Sequence, residues 1–304
     1  MKYNVGDAVD GKFILQTGNV LTKFDGTPYL SCTLVSGGDS YNAVCWTFPA
    51  QMPEDMLGNF VHVRGTCSEY QGKPQIKISF IELTFVTDEE LVELVPTCPI
   101  DRTKEMESIY SLADSIADSD YRVIAKSVLE RYGDLFSVIP AAKKVHQSAL
   151  YGLLMHTSWM MKCADVLAKI HSDIIDRDLL LCGTLCHDIG KIREFSLSKC
   201  GLVTDYSAEG QLLGHSYLGI EMVTAICNEL NTPAKKTLLL KHLIASHSGM
   251  RDWGAIEVPK VPEAELLNLI DLIDSRMEIY RENYLGMSEG SNAFVPLGHY
   301  IYKV

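Results

Sequence analysis

No stretch of this chain stays apolar for long; the most hydrophobic run, Leu179 to Cys186, falls far short of the roughly 20 residues a membrane-spanning helix needs. The opening residues, MKYNVGDAVDG, lack the apolar centre of a secretory signal, so export is not expected. The nine cysteines are odd in number and have no disulfide-like spacing, which fits the reduced thiols of a cytoplasm. Positive charge is scarce: 27 Lys and Arg against 39 Asp and Glu give a formal net charge of −12. That excludes broad electrostatic adhesion to nucleic acid or anionic membranes. It leaves room for a local basic groove, or for a metal-centred site that handles phosphates. Internal repeats and low-complexity tracts are also missing. What remains is an ordinary globular composition, 47% hydrophobic and 22% charged over 304 residues, long enough for one to three domains and a sizeable core.

Two textures meet near residue 95. From Val5 to Phe85 the pattern is short and alternating. In YLSCTLV, Leu30, Cys32 and Leu34 alternate with Tyr29, Ser31 and Thr33. AVCWTF sets Val44, Trp46 and Phe48 on one face, and VHVRG and QIKISFIEL alternate as well. Gln71-Gly72 reads as a hairpin turn. About five short strands in about 85 residues suit a small barrel of the OB-fold kind, with a ligand-free β-barrel as the plainer alternative. Tyr29, Arg64, Tyr70, Lys73 and Lys77 are its candidate nucleic-acid contacts, or else a solvated face. The acidic, then proline-bearing TDEELVELVPTCPIDR reads as a linker over about 88–101. Beyond it the apolar spacing is helical to near the end, with Gly133 interrupting one segment, GLVTDYS as a short extended piece, and a loop-like ENYLGMSEGSNAF. The expected architecture is multidomain α+β: a β-barrel over 1–95, then a helix bundle over 96–304.

Seven of the nine histidines lie in the helical half between His146 and His247. His156 shares a helix face with Met160 and points inward. His187 shares one with Gly183 and Leu180, and Asp188 stands beside it near a helix C-terminus that Gly190 is expected to end. A carboxylate is unfavourable at the negative end of a helix dipole, and burying it unpaired costs several kcal/mol. A divalent cation removes both objections. Its further ligands would come from other helices: His215, His247 and Asp271, the last inside the apolar NLIDLIDSRM. Asp274 stays open between a helix-end carboxylate and a site member. His242 lies five residues before His247, about 140° round a helix, so the two are not expected on one ion. His146 and His242 remain candidates for a substrate phosphate, or plain surface histidines. Imidazole with carboxylate and no cysteine suits Mn, Fe, Co or Zn, with Ni and Mg as further alternatives. One or two such ions can activate a water and neutralise phosphoryl oxygens.

The pattern H…HD…D centred on LCHDIGK resembles the HD-domain metal-dependent phosphohydrolases. VHQSALYGLLMHT, CHDIGKIREF, AEGQLLGHSYLG, LKHLIASHSG and NLIDLIDSRM follow the order and approximate spacing of the YhaM-type 3′-to-5′ exoribonucleases, in which an OB-fold precedes the HD domain. The resemblance implies His156, His187, Asp188 and Asp271 as core metal ligands, His215 and His247 on a second ion or the phosphate, and Lys191 as a cation near the scissile phosphate. It implies Mn²⁺ first among the metals, single-stranded RNA or DNA as partner, a cytoplasmic hydrolase with Asp188 and Lys191 catalytic, and assembly into a homo-oligomer. Such relatives often have paired histidines where this chain has His247-Ser248. The Gly-Tyr-Pro signature of cyclic-dinucleotide hydrolases is missing from SHSGMRDWGAIEVP. Two rival readings stay open: a hydrolase of free nucleotides with a regulatory barrel, and a non-catalytic nucleic-acid-binding protein.

Overall fold

The computed structural model describes residues 3–37, 39–53, 55–142, 149–198 and 200–304. They form two compact units, one of Met1–Thr97 with Leu197–Leu202 and one of Cys98–Ser196 with Val203–Val304.

The first unit is a closed barrel of β1 (Ala8–Thr22), β2 (Pro28–Ser36), β3 (Asp39–Cys45), β4 (Phe60–Tyr70) and β5 (Lys73–Leu83), in the order β1-β2-β3-β5-β4. Its pairings are antiparallel except β3 with β5. This is the OB-fold arrangement. Alternation builds it: Leu30, Cys32 and Leu34 point into a core shared with Phe13, Leu15, Val61, Val63 and Ile76. Gln71 and Gly72 both take positive φ, 50° and 75°, as a two-residue β4–β5 turn demands. At Gly65 a Cβ would stand 2.2 Å from the Lys77 carbonyl oxygen, so glycine lets β4 and β5 close at the bulge between Arg64 and Gly65. The expected Val44-Trp46-Phe48 face does not form. Strand β3 stops at Cys45, its inward row is Tyr41, Ala43 and Cys45, and Trp46 is half exposed.

The acidic segment read as a linker carries a helix, α1 (Asp88–Leu94). Thr87 and Glu90 close a capping box at its start: Thr87 Oγ accepts from Glu90 N, and Glu90 accepts from Thr87 N.

The second unit is helical: α2 (Arg102–Asp114), α3 (Ser119–Phe136), α4 (Gly152–Ile170), α5 (Arg177–Cys186), α6 (Lys191–Glu194), α7 (Ala208–Glu229), α8 (Ala234–Ser246) and α9 (Pro262–Tyr284). Side-chain oxygens of Asp101, Asp118, Asp176 and Ser207 cap α2, α3, α5 and α7. Gly133 does not interrupt α3, whose buried face carries it through; glycine costs a helix only about 1 kcal/mol. A short hairpin, β6 (Phe195–Leu197) with β7 (Val203–Tyr206), includes the extended GLVTDYS segment. The loop-like C-terminal stretch ends instead in a hairpin, β8 (Asn292–Val295) with β9 (His299–Tyr302), whose Val295 and Ile301 pack on Ile279.

α4 packs against α2, α5 and α9, and α5 against α3, α8 and α9. Glycines set the closest approaches around α5 and α6. A Cβ on Gly183 would lie 2.3 Å from Leu243 Cδ2 of α8. One on Gly190 would lie 2.0 Å from the His215 carbonyl oxygen of α7. Gly190 has right-handed φ −63°, so its part is close approach and not the left-handed cap expected of it.

Candidate metal centre

Four helices deliver imidazoles to one point. His156 lies near the start of α4. His187 is the C-cap of α5, His247 the C-cap of α8, and His215 follows Gly214, whose φ of 72° and ψ of 159° kink α7. Asp188 sits on the turn after α5 and Asp271 on α9. His187 is fully buried, and His156, Asp188 and His247 are nearly so.

The Nδ1 atom of every ring faces an oxygen. His187 Nδ1 donates to the Thr184 carbonyl and His247 Nδ1 to the Ile244 carbonyl, each at 2.7 Å. His156 Nδ1 lies 2.7 Å from Asp274 Oδ2 and His215 Nδ1 3.1 Å from Glu194 Oε1. A ring nitrogen that donates leaves the other as a bare lone pair in the neutral ring. The four Nε2 atoms then converge as acceptors. His156 and His187 Nε2 are 3.2 Å apart, and His215 and His247 Nε2 3.3 Å. Asp188 Oδ2 lies 3.6 Å from His156 Nε2 and 3.3 Å from His187 Nε2, while its Oδ1 lies 3.5 Å from His215 Nε2 and 3.7 Å from His247 Nε2. Asp271 Oδ1 stands 3.6 Å from His156 Nε2. Acceptors facing acceptors across such distances repel one another unless a cation lies between them.

The donors fall into two sets that share Asp188: His156, His187 and Asp188, joined by Asp271, and Asp188, His215 and His247. Nitrogen and oxygen donors without thiolate fit a divalent first-row ion. Charge follows the same logic. Burial pushes the Asp188 carboxyl up, but Lys191 and His187 outweigh it and hold the group well below the usual range. Burial pushes His156 down, and Asp274 and Asp271 outweigh that to raise it. Burial holds His247 down to about 4, so its ring stays a neutral donor. Lys191 Nζ lies 2.6 Å from Asp188 Oδ2; burial lowers its pKa, and Asp188 more than offsets this.

The cluster floors a cavity of about 310 Å³, also lined by Ala141, Ala142, Ser248 and Ser275. His242 does not reach it: its Nε2 accepts from Lys260 N at 3.0 Å, because five residues of helix turn it away from His247. His146 lies outside the described residues. Asp274 proves to be a buried partner of His156, one helical turn from Asp271 on α9. Spacing alone does not single out Glu194, and Ser248 lines the cavity wall beside His247.

On the barrel, strand register brings Tyr29, Tyr70, Lys73 and Lys77 to the outer side of the β2-β3-β5-β4 wall. Tyr70 and Lys73 line a groove of about 290 Å³ with Ser31, Asn42 and Gln75. Tyr29 stacks on Trp46, centroids 5.0 Å apart, with Lys23 over the indole at 5.7 Å. Arg64 does not join them. Beyond the bulge it pairs with Asp10 and Phe80, its guanidinium 4.4 Å over the Phe80 ring. Trp46 is the aromatic that alternation misassigned, because the strand ends one residue before it.

Comparison with known proteins adds to this picture. The HD domain family matches residues 153–276. Curated 3′-5′ exoribonucleases YhaM are 31% identical to the chain: over 90% of it and 86% of the protein from Oceanobacillus iheyensis, and over 92% and 88% for Listeria monocytogenes. The Bacillus velezensis YhaM is also 31% identical, over 91% of this chain and 88% of its own. Among solved structures, the second OB-fold domain of replication protein A from Methanococcus maripaludis matches 28% of this chain and 89% of its own, at 16% identity and a TM-score of 0.21.

Proposed function

This chain belongs to the YhaM family of 3′-5′ exoribonucleases and is a hydrolase, and from that premise we propose that it removes nucleotides from the 3′ end of single-stranded RNA in the cytoplasm, with single-stranded DNA as a second substrate. The observation that carries this reading is the convergence of four Nε2 atoms on the two oxygens of Asp188, at the floor of a cavity. His156, His187, Asp188 and Asp271 would hold one ion, and Asp188, His215 and His247 a second, Mn²⁺ being the expected metal. When bound, such ions supply the Lewis acidity that lowers the pKa of a water and neutralises phosphoryl oxygens.

The chain's own residues do the rest. Asp188 uses one oxygen for each donor set and fixes their separation. Lys191 stands beside it as a cation within reach of a phosphate oxygen, where charge develops during cleavage. Ser248 and Ser275 offer hydroxyls to the same phosphate. About 310 Å³ is at the small end of ligand cavities, which suits one strand terminus. The barrel wall carrying Tyr29, Trp46, Tyr70, Lys73 and Lys77 would hold the strand by stacking and local charge, sequence-tolerant and salt-sensitive.

The test is a 5′-labelled single-stranded RNA incubated with the protein, with Mn²⁺ and with chelator. A ladder that shortens from the 3′ end only with the metal is expected. An intact strand alongside turnover of free mononucleotides would overturn the proposal in favour of a nucleotide phosphohydrolase.

A further inference from the structure

We propose that Asp274 and Glu194 are positioning residues of the metal centre, one for each donor set, each orienting one imidazole so that its Nε2 faces the ion. The inference rests on the metal-dependent reading of this site.

It follows from where the four histidines sit on their helices. A helix leaves its last carbonyls unpaired at the C-terminus and its first N–H groups unpaired at the N-terminus. His187 and His247 are C-caps, so each ring finds a free acceptor in its own helix three residues back, at Thr184 and Ile244. His156 lies in the opening turns of α4, and His215 opens the second half of α7 after the Gly214 kink. Carbonyls there are engaged in the helix, so the acceptor for Nδ1 has to come from a neighbouring element. Asp274 supplies it to His156 from α9, 118 residues away in sequence. Glu194 supplies it to His215 from the end of α6, and its Oε1 also accepts from His215 N at 2.9 Å. Both carboxylates are at least nine-tenths buried. A single acceptor that holds ring and main chain together fixes His215 at the kink. Asp271 and Asp274, one turn apart, bracket His156 on both of its nitrogens. A carboxylate behind an imidazole also raises the basicity of the coordinating nitrogen.

The test compares Asp274→Asn, Asp274→Ala, Glu194→Gln and Glu194→Ala with wild type by calorimetric titration with Mn²⁺ and by the visible absorption of added Co²⁺, with the exposed Glu265→Gln on α9 as control. Each alanine variant should bind Mn²⁺ about 10–100-fold more weakly and shift the Co²⁺ bands. The amide variants keep an acceptor for Nδ1–H and should recover much of the loss. Should an alanine variant fail to fold by circular dichroism, its amide variant carries the test through a smaller loss of affinity. Wild-type affinity in the folded variants, or amide variants no better than folded alanine variants, would overturn the proposal. Wild-type protein that binds Mn²⁺ yet leaves RNA intact would sink the exonuclease reading and leave this inference standing. Wild-type protein that binds neither ion would overturn both.

Discussion

At Gly190 the missing side chain holds the site together. A Cβ there would press into the His215 carbonyl and the Gly219 amide, both main-chain groups that cannot swing aside. Gly190→Ala should therefore push α7 away, costing about 1–3 kcal/mol of stability and weakening the second Mn²⁺ of a two-step titration before the first. An unchanged titration would show that the close approach is not needed. Lys191, next in the chain, donates to Asp188 Oδ2, an oxygen that an ion held by His156 and His187 would also use. Lys191→Met should retain or improve Mn²⁺ affinity while lowering RNA turnover about 10²–10³-fold; a parallel fall of both would assign the lysine to the fold. Asp188→Asn should abolish turnover and spare RNA binding, measured by filter retention.

Individual elements are tied by carboxylates whose titration is readable. Glu105 of α2 accepts from Ser158 and, at 2.6 Å, from Lys162 of α4. Asp165 of α4 accepts from Lys169 at 2.6 Å and from Arg177, at the start of α5, at 2.7 Å. Burial pushes both carboxyls up, but these partners outweigh it and hold them below their usual range. Lys236 does the same for Asp118, the cap of α3. Each folded pKa lies below its unfolded value of about 4, so the unfolded chain takes up protons first. The stabilisation is therefore complete above about pH 5 and fades as pH falls through the folded values. Urea midpoints measured from pH 7 down to 3 should drop in the acid range, and less steeply for Glu105→Gln combined with Asp165→Asn.

For the whole molecule, an acidic total of −12 would limit the proposed strand binding to local surfaces. Tyr70→Ala with Lys73→Ala should raise KM for a long RNA several-fold, since one stacked base contributes about 1–3 kcal/mol, and leave dinucleotide hydrolysis unchanged. Equal effects on both substrates would remove the strand-holding role from the barrel wall. Ions held by folded protein alone should also stabilise it. At 100 times Kd the gain is about 2.7 kcal/mol, or roughly 5–10 °C in Tm for a unit of this size, lost again on chelation. No helix among the described residues is long and apolar enough to cross a membrane.

Sequence by itself determined what is periodic or local. Alternation in YLSCTLV fixed the inward row of β2, Gln71-Gly72 fixed a hairpin, and apolar spacing set most of the helices, because these depend on neighbours two to four residues apart. Chemistry also singled out His156, His187, Asp188, His215, His247 and Asp271, since buried imidazoles and carboxylates demand partners. Tertiary structure decided which partner each received. Asp274 reaches His156 across 118 residues, Glu194 reaches His215 across a hairpin and a kink, and His242 turns away onto Lys260. Arg64 is set apart from the other barrel candidates because register places it between Asp10 and Phe80, with its guanidinium over the Phe80 ring. The supposed linker became α1 through a capping box whose two side chains take effect only when the backbone is already turning. Such contacts are set by how helices and strands approach one another, and glycines at 65, 183 and 190 govern that approach by the side chains they lack.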